Sequence, residues 1–336
     1  MFLHNSHQAL FRTPAGPAPA GSEVTIRFLS DESDSVVLRT WNGEESTYVM
    51  HNDGDNLWSA TITLPQEPGW LWYDFILYQK DGHAVRYGNA YDQLGGEGAV
   101  YESGDVSSYQ ITVYKPGFKT PGFFQGANVY QIFPDRFYKS GAAKGEIPTG
   151  RTFHENWQDQ PDWAPNAQGK ITNTDFFGGD LQGIREKLPY LKELGVTCLY
   201  MNPIFESHSN HRYDTADYSK IDPLLGDEED FRALCQAAKE LGIRVVIDGV
   251  FSHTGSDSVY FNREGRYPTP GAYNSQQSPY YPWYSFRQWP DSYDCWWNFD
   301  TLPNVQETNP SYDAYINGNE GIVRKWLAAG ASGWRL

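Results

Sequence analysis

The side chains best suited to chemistry gather in a few short segments. Asp248-Gly249-Val250-Phe251-Ser252-His253 comes directly after the β-branched run at residues 243–247. A carboxylate at a strand's tip and a histidine in the next loop can bind hydroxyl groups. A neutral imidazole donates one hydrogen bond, and a nearby carboxylate fixes its orientation. The same pattern also suits an aspartate capping backbone amides beside a surface histidine, and the hexapeptide alone leaves both readings open. A second polar segment, residues 202–218, comes after the apolar run 196–201 and carries Glu206, His208, His211, Tyr213, Asp214 and Asp217. A third is Gly330-Ala331-Ser332-Gly333-Trp334-Arg335-Leu336.

His208 and His211 have a spacing seen in zinc sites, but no cysteine or second histidine pair accompanies them, so no metal is assigned to them. Glu206, Asp214 and Asp217 read as loop carboxylates, solvated or capping. Three cysteines are too few for a disulfide framework. Cys198 and Cys235 fall on core-facing positions and read as packed thiols.

The elements that would position these segments change character along the chain. Residues 1–120 read as all-β. Alternating runs at 24–29, 36–41, 58–64 and 70–78 are separated by turn clusters, and Asp81-Gly82 is a favoured hairpin pair. Such spacing indicates a β-sandwich. In it Trp41, Trp70 and Trp72 are expected in the core rather than on a ligand-binding face. The Pro- and Gly-bearing stretch 115–122 reads as a linker, dividing the chain into 1–120 and 121–336.

After the linker, strands alternate with helices. Strand candidates are 128–133, 196–201, 243–247 and 333–336. Leu181, Ile184, Leu188, Leu191 and Leu194 recur at helical spacing, with Asp180 placed to cap and Pro189 to kink. Phe231, Leu234, Cys235, Ala238 and Leu241 form a second stripe between Asp227 and Gly242, and residues 319–331 are a third helix candidate. Residues 254–312 show no clear helix and are dense in Tyr, Trp, Pro, Asn and Gln. The alternation predicts a parallel sheet, flat or closed into a barrel, whose active residues sit at the C-terminal strand ends. Residues 121–336 are fewer than the about 250 of a closed barrel, so the chain is expected to be part of a longer protein.

Composition narrows the function classes. The 336 residues are 39% hydrophobic and 20% charged, a globular balance that excludes a disordered chain. Formal net charge is −16, which disfavours nucleic acid and anionic membranes as partners. No apolar run approaches membrane-spanning length. Residues 1–19 show no signal-peptide pattern, so a cytoplasmic location is expected. Aromatics reach 16%. Flat rings cover the apolar faces of sugars, but they also fill sandwich and barrel cores, and composition alone favours the core.

Taken together the segments resemble the α-amylase superfamily, glycoside hydrolase family 13. Residues 248–253 look like its first conserved region, and Tyr130-Gln131-Ile132-Phe133-Pro134-Asp135-Arg136-Phe137 looks like its first barrel strand. Leu302-Pro303-Asn304-Val305 resembles the motif near the end of its inserted domain B, and residues 330–336 its nucleophile-bearing strand. Phe176-Phe177-Gly178-Gly179-Asp180-Leu181 and residues 210–218 are closest to the neopullulanase, cyclomaltodextrinase and maltogenic amylase branch. The resemblance implies an α/β fold: an incomplete TIM (β/α)8 barrel with a domain B-like insertion at about 254–312, preceded by an immunoglobulin-like sandwich.

It also implies an activity, hydrolysis of α-glucans (maltodextrins, cyclodextrins, pullulan or starch fragments) with retention. Residue by residue, Tyr213 matches the aromatic that stacks on the sugar at the cleavage site, with His211 in the same loop. Asp248 matches the first-region aspartate, and His253 the histidine that binds hydroxyls of the reacting sugar. Arg335 matches the arginine that keeps the nucleophile ionised. Retention needs two carboxylates about 5–5.5 Å apart. In the family the nucleophile comes immediately after the Arg-Leu pair. The resemblance therefore puts it directly after Leu336, with the other catalytic carboxylates later still, and this chain alone is expected to be inactive. The alternative is a non-catalytic glucan-binding protein on a degenerate barrel. The identity of the residue after Leu336, acidic or not, separates the two. The regions that distinguish α-1,4 from α-1,6 preference also lie beyond Leu336. The branch often dimerises through its sandwich, although residues 1–120 carry no dimer face in their sequence. No cofactor is implied. Calcium is disfavoured, because Ser252 stands where many members have a ligating asparagine and residues 138–145 lack the Asn and Asp of the branch's calcium loop.

Overall fold

The computed structural model describes residues 1–142 and 150–336. The chain forms two compact units, Met1–Thr120 and Pro121–Leu336.

The first unit is built from strands β1 (Glu23–Ser30), β2 (Ser33–Trp41), β3 (Leu57–Thr63), β4 (Gly69–Gln79), β5 (Ala84–Gly88) and β6 (Tyr109–Tyr114), with shorter strands at their edges. β1 and β3 pair antiparallel in one sheet, and β4 is the hub of the other, antiparallel to β2, β5 and β6. Alternation gives each sheet an inward row: Val24, Ile26 and Phe28 from β1, and Leu71, Tyr73, Phe75 and Leu77 from β4, meet in one core. His4 is buried there too, among Phe11, Tyr73, Phe75 and Tyr109.

The tryptophans depart from expectation. Leu71, Tyr73 and Phe75 point inward, so Trp70 and Trp72 point out. Trp70 is 65% and Trp41 47% exposed, and Trp41 pairs across the strands with Trp72. Beside them, buried Asp74 is neutralised by Arg39 (3.0 Å) and Arg86 (2.6 Å).

In the second unit a parallel sheet runs in chain order through β7 (Val129–Ile132), β8 (Cys198–Met201), β11 (Arg244–Asp248) and β12 (Gly333–Arg335). The strands between, β9 (Phe205–Ser207) and β10 (Thr215–Ile221), form a hairpin off the end of β8. α1 (Leu181–Glu186) and α2 (Leu188–Glu193) connect β7 to β8. Asp180 accepts from Gly183 N–H at the start of α1, and Pro189 sits in the first turn of α2, which makes the expected kink a break at Lys187. α3 (Glu228–Glu240) opens with a capping box between Asp227 and Asp230 and buries Phe231, Leu234, Cys235 and Ala238 against the sheet. Burying a Leu or Phe side chain contributes about 1.5–3 kcal/mol, so this stripe is enough to seat the helix.

Before β12 the chain holds two helices where one was expected. α4 (Pro310–Asn317) starts inside the segment read as helix-free. Asn309 caps it by accepting from Ser311 and Tyr312 N–H, and Pro310 takes its first turn. α5 (Ile322–Ala328) is shorter than residues 319–331, because a turn in which Gly321 N–H donates to Gly318 O precedes it. Trp326 of α5 is fully buried and donates from Nε1 to Tyr218 O at 2.9 Å, tying the helix to the β9–β10 hairpin. Among the described residues, no helix is long and apolar enough to cross a membrane.

Candidate active site

Parallel register brings the site together. β8, β11 and β12 are neighbours, and Asp248 lies directly opposite Arg335. All three strands end on the same side, where loops can converge on a ligand.

Asp248 is buried at the tip of β11. Its Oδ2 accepts from the Tyr213 hydroxyl at 3.1 Å and from the Tyr200 hydroxyl. Its Oδ1 has no hydrogen-bond partner and faces Arg335 Nη1 at 3.7 Å, an ion pair just outside hydrogen-bond reach. Burial raises the carboxyl pKa, against the pull of Tyr200, Arg335 and Tyr213 toward the ionised form. The result is a carboxylate held by two phenols on one oxygen, with the other buried and facing Arg335.

Tyr213 reaches Asp248 from the loop between β9 and β10. That loop is braced from below. Arg212, fully buried with a left-handed backbone (φ 60°), donates from Nη1 to Asn210 O (2.9 Å) and pairs with buried Asp222 at 3.4 Å. Asp214 accepts from the hydroxyls of Ser207 (2.6 Å) and Ser209. Backbone strain of this kind persists only where surroundings over-determine it, and here it sets the residue that presents the Tyr213 ring.

His211 sits behind that ring. Its Nδ1 accepts from Tyr213 N–H at 3.1 Å, which leaves the proton on Nε2, and burial lowers its pKa. It is not among the residues that line the cleft, and its ring packs against that of Tyr213. His253 does line the cleft. It is buried, its Nδ1 lies 3.1 Å from Ser252 Oγ, and its Nε2 has no hydrogen-bond partner. Burial lowers its pKa as well, so it stands neutral near pH 7. The cleft itself, about 650 Å³, is lined by Tyr213, His253, Trp296, Arg335 and the 249–252 loop among others.

The structure thus brings Tyr213, His253 and Arg335 to the lining of one cleft, with Asp248 buried behind it, bonded to Tyr213 and facing Arg335. Glu206, Asp214 and Asp217 stay apart from it. Glu206 accepts from Tyr267 (2.6 Å), and Asp217 accepts from Ser219 Oγ (2.6 Å) and pairs with Lys220 (3.0 Å). Two residues escaped the sequence reading. Tyr200 is the one phenol in the apolar strand β8, and its half-buried hydroxyl finds a partner in Asp248. Tyr218 is fully buried and donates to Val250 O (2.5 Å) and His253 O (2.8 Å), which fixes the loop carrying the histidine.

Calcium finds little at either position where the resemblance would put it. Ser252 turns its hydroxyl to His253, and Asp180 spends its oxygens on Gly183 N–H and Ser140 Oγ (2.9 Å). Residues 143–145 of the second loop lie outside the described residues.

Residues 131–336 match the catalytic domain of alpha amylase. The chain therefore belongs to the alpha-amylase family. It is 40% identical to an amylopullulanase of Thermoanaerobacterium saccharolyticum over 99% of this chain and 29% of that protein. It is 34% identical to neopullulanase 2 of Thermoactinomyces vulgaris over 79% of this chain and 42% of that protein. Among solved structures, the type III pullulan hydrolase from Thermococcus kodakarensis aligns with all of this chain and 55% of its own, with TM-score 0.56 and 27% identity. The chain spans well under half the length of these two curated relatives.

Proposed function

We propose that this chain is part of a retaining α-glucan hydrolase, an immunoglobulin-like sandwich with the opening strands of a (β/α)8 barrel after it. The longer protein works in the cytoplasm on maltodextrins, cyclodextrins, pullulan or starch fragments. The observation that carries the reading is the convergence of Tyr213, His253 and Arg335 on one cleft, with Asp248 bonded to Tyr213 behind it and with Asp248 Oδ1 and His253 Nε2 both lacking a hydrogen-bond partner. Unsatisfied buried polar atoms are costly, and a ligand's hydroxyls relieve them.

In this reading Tyr213 stacks on the sugar ring, and its hydroxyl is spent on Asp248. Asp248 accepts from a sugar hydroxyl through Oδ1, and His253 donates to another from Nε2. Arg335 lies half-exposed beside Asp248, and its guanidinium keeps the carboxylate next after Leu336 ionised and ready to attack. In this reading the nucleophile and the acid/base are supplied by later residues of the longer protein. The relatives' names, pullulanases of several kinds, support the substrate class.

The test is hydrolysis of maltoheptaose and pullulan by the longer protein, with the product anomer read by proton NMR. The expected first product is the α-anomer. Arg335→Ala lowers kcat/KM by orders of magnitude with the melting temperature kept. Release of the β-anomer, or unchanged turnover in Arg335→Ala, refutes the reading.

A further inference from the structure

The tryptophans of the insertion divide into two pairs. Trp283 is buried among Tyr260, Tyr280 and Tyr312, and Trp289 donates from Nε1 to Ala272 O at 3.1 Å, so both serve packing. Trp296 and Trp297 do not. They share a tight loop with Phe299, closed by Trp296 N–H to Leu302 O and Leu302 N–H to Phe299 O, each 2.9 Å. Isolated bridges from Cys295 to Pro303 and from His253 to Asn304 fix this loop beside the cleft.

The rings form a series. The Trp296 ring lies 5.6 Å from the His253 ring and lines the cleft. Trp297 stacks on Trp296 with centroids 5.0 Å apart and planes inclined by only 11°, and Phe299 stacks on Trp296 at 6.3 Å and 23°, which leaves the outer ring faces open. All three are exposed: Trp297 by 79%, Phe299 by 55% and Trp296 by 39%. Trp283, Tyr284 and Tyr293 of the insertion join the core of the second unit, and Trp296, Trp297 and Phe299 are left out of it.

The backbone adds an independent sign. Trp297 has φ 48° and ψ 32°, and Asn298 φ 63°. A large side chain seldom adopts the left-handed region, which glycine enters freely. The loop holds its widest ring where the backbone disfavours it and where packing returns little. Such outliers persist at sites where a ligand uses them.

We propose that Trp296, Trp297 and Phe299 form a platform that stacks against successive pyranose rings of an α-glucan, extending binding outward from the sugars held at His253. The identity of the ligand rests on the function proposed above. The platform itself lies wholly within this chain and is tested separately.

The experiment is calorimetric titration of the 336-residue chain with maltotriose and maltoheptaose, in wild type, W297G and W297F. Glycine removes the ring and suits the backbone, so W297G keeps its melting temperature or gains. It raises the Kd for maltoheptaose about tenfold (~1.4 kcal/mol) and leaves maltotriose unchanged. W297F keeps a ring and holds the Kd within about threefold. Unchanged maltoheptaose affinity in W297G overturns the platform, as does a wild-type chain that binds no maltoheptaose. If later residues of a longer protein cover the rings instead, W297G destabilises that longer protein and leaves its glucan affinity alone, which also overturns it. None of these results bears on whether the longer protein hydrolyses glucans with retention, so the two readings fail separately.

Discussion

His4 makes the first unit sensitive to acid. It is fully buried, with Nδ1 2.7 Å from Arg27 O and Nε2 2.9 Å from Tyr73 Oη. Burial, only partly offset by the Arg27 carbonyl, lowers its pKa from 6.5 to about 4. Above pH 6.5 neither the folded nor the unfolded chain protonates this residue, and its share of stability is complete. Between pH 6.5 and 4 the unfolded chain takes up a proton that the folded one refuses, so stability falls as pH falls. Below about pH 4 both forms are protonated and the loss levels off. The full loss is about 3 kcal/mol, on the order of 10 °C in melting temperature for a unit of this size. The assay is scanning calorimetry of wild type and His4→Gln from pH 7.5 to 4. His4→Gln is less stable at pH 7.5, because it gives up the ring packing on Phe11, Tyr73, Phe75 and Tyr109, but its first-unit transition moves less with pH. Equal pH slopes for the two proteins refute the argument, and so does an NMR titration of the His4 imidazole with a midpoint near 6.5.

Other expectations concern the cleft of the longer protein. Tyr213→Phe keeps the ring and loses only the bond to Asp248, so kcat/KM falls less than about tenfold, while Tyr213→Ala costs at least about a hundredfold; equal losses count against stacking. Tyr200→Phe removes a donor from the buried Asp248 carboxylate, which costs about 1–3 kcal/mol of stability. It also raises the Asp248 pKa further, so the acid limb of the pH–rate profile moves to higher pH, and an unmoved limb argues against Asp248 acting as a carboxylate.

The parts of the fold legible in sequence are those set by short-range forces. Alternation and caps act over a few residues. Strands β1–β4, β7, β8, β11 and β12, the cap at Asp180 and the start of α3 at Asp227 are therefore legible, whereas β5, β6 and the β9–β10 hairpin are not, and the break at Lys187 reads only as a kink at Pro189. The Asn309-Pro310 pair, a cap with a first-turn proline after it, is as plain a signal for α4, but the aromatic density around it masks the signal. The same short range places Trp70 and Trp72 outward once Leu71, Tyr73 and Phe75 are taken as the inward row.

The site divides along the same line. Asp248, His253 and Arg335 stand at strand ends, and a strand end is a local feature. That Tyr200 reaches Asp248 depends on the parallel register between β8 and β11, which no short stretch of sequence specifies. That Tyr213 reaches it depends on the buried Arg212–Asp222 pair, whose members lie on opposite sides of a hairpin strand. The difference between His211 and His253 is of this kind too. Both imidazoles have Nδ1 occupied, His211 by Tyr213 N–H and His253 by Ser252 Oγ, but His211 is half-buried against Tyr213, whereas His253 is buried at the cleft with Nε2 lacking a hydrogen-bond partner. A ligand hydroxyl therefore gains most at His253, and the pair of variants His253→Ala and His211→Ala should separate loss of ligand contact from loss of Tyr213 placement. In the longer protein, losing a ligand contact at His253 weakens maltose as a competitive inhibitor, while loosening Tyr213 through His211 lowers kcat with inhibition less affected. The reverse order would mean that His211 is the residue that meets the sugar.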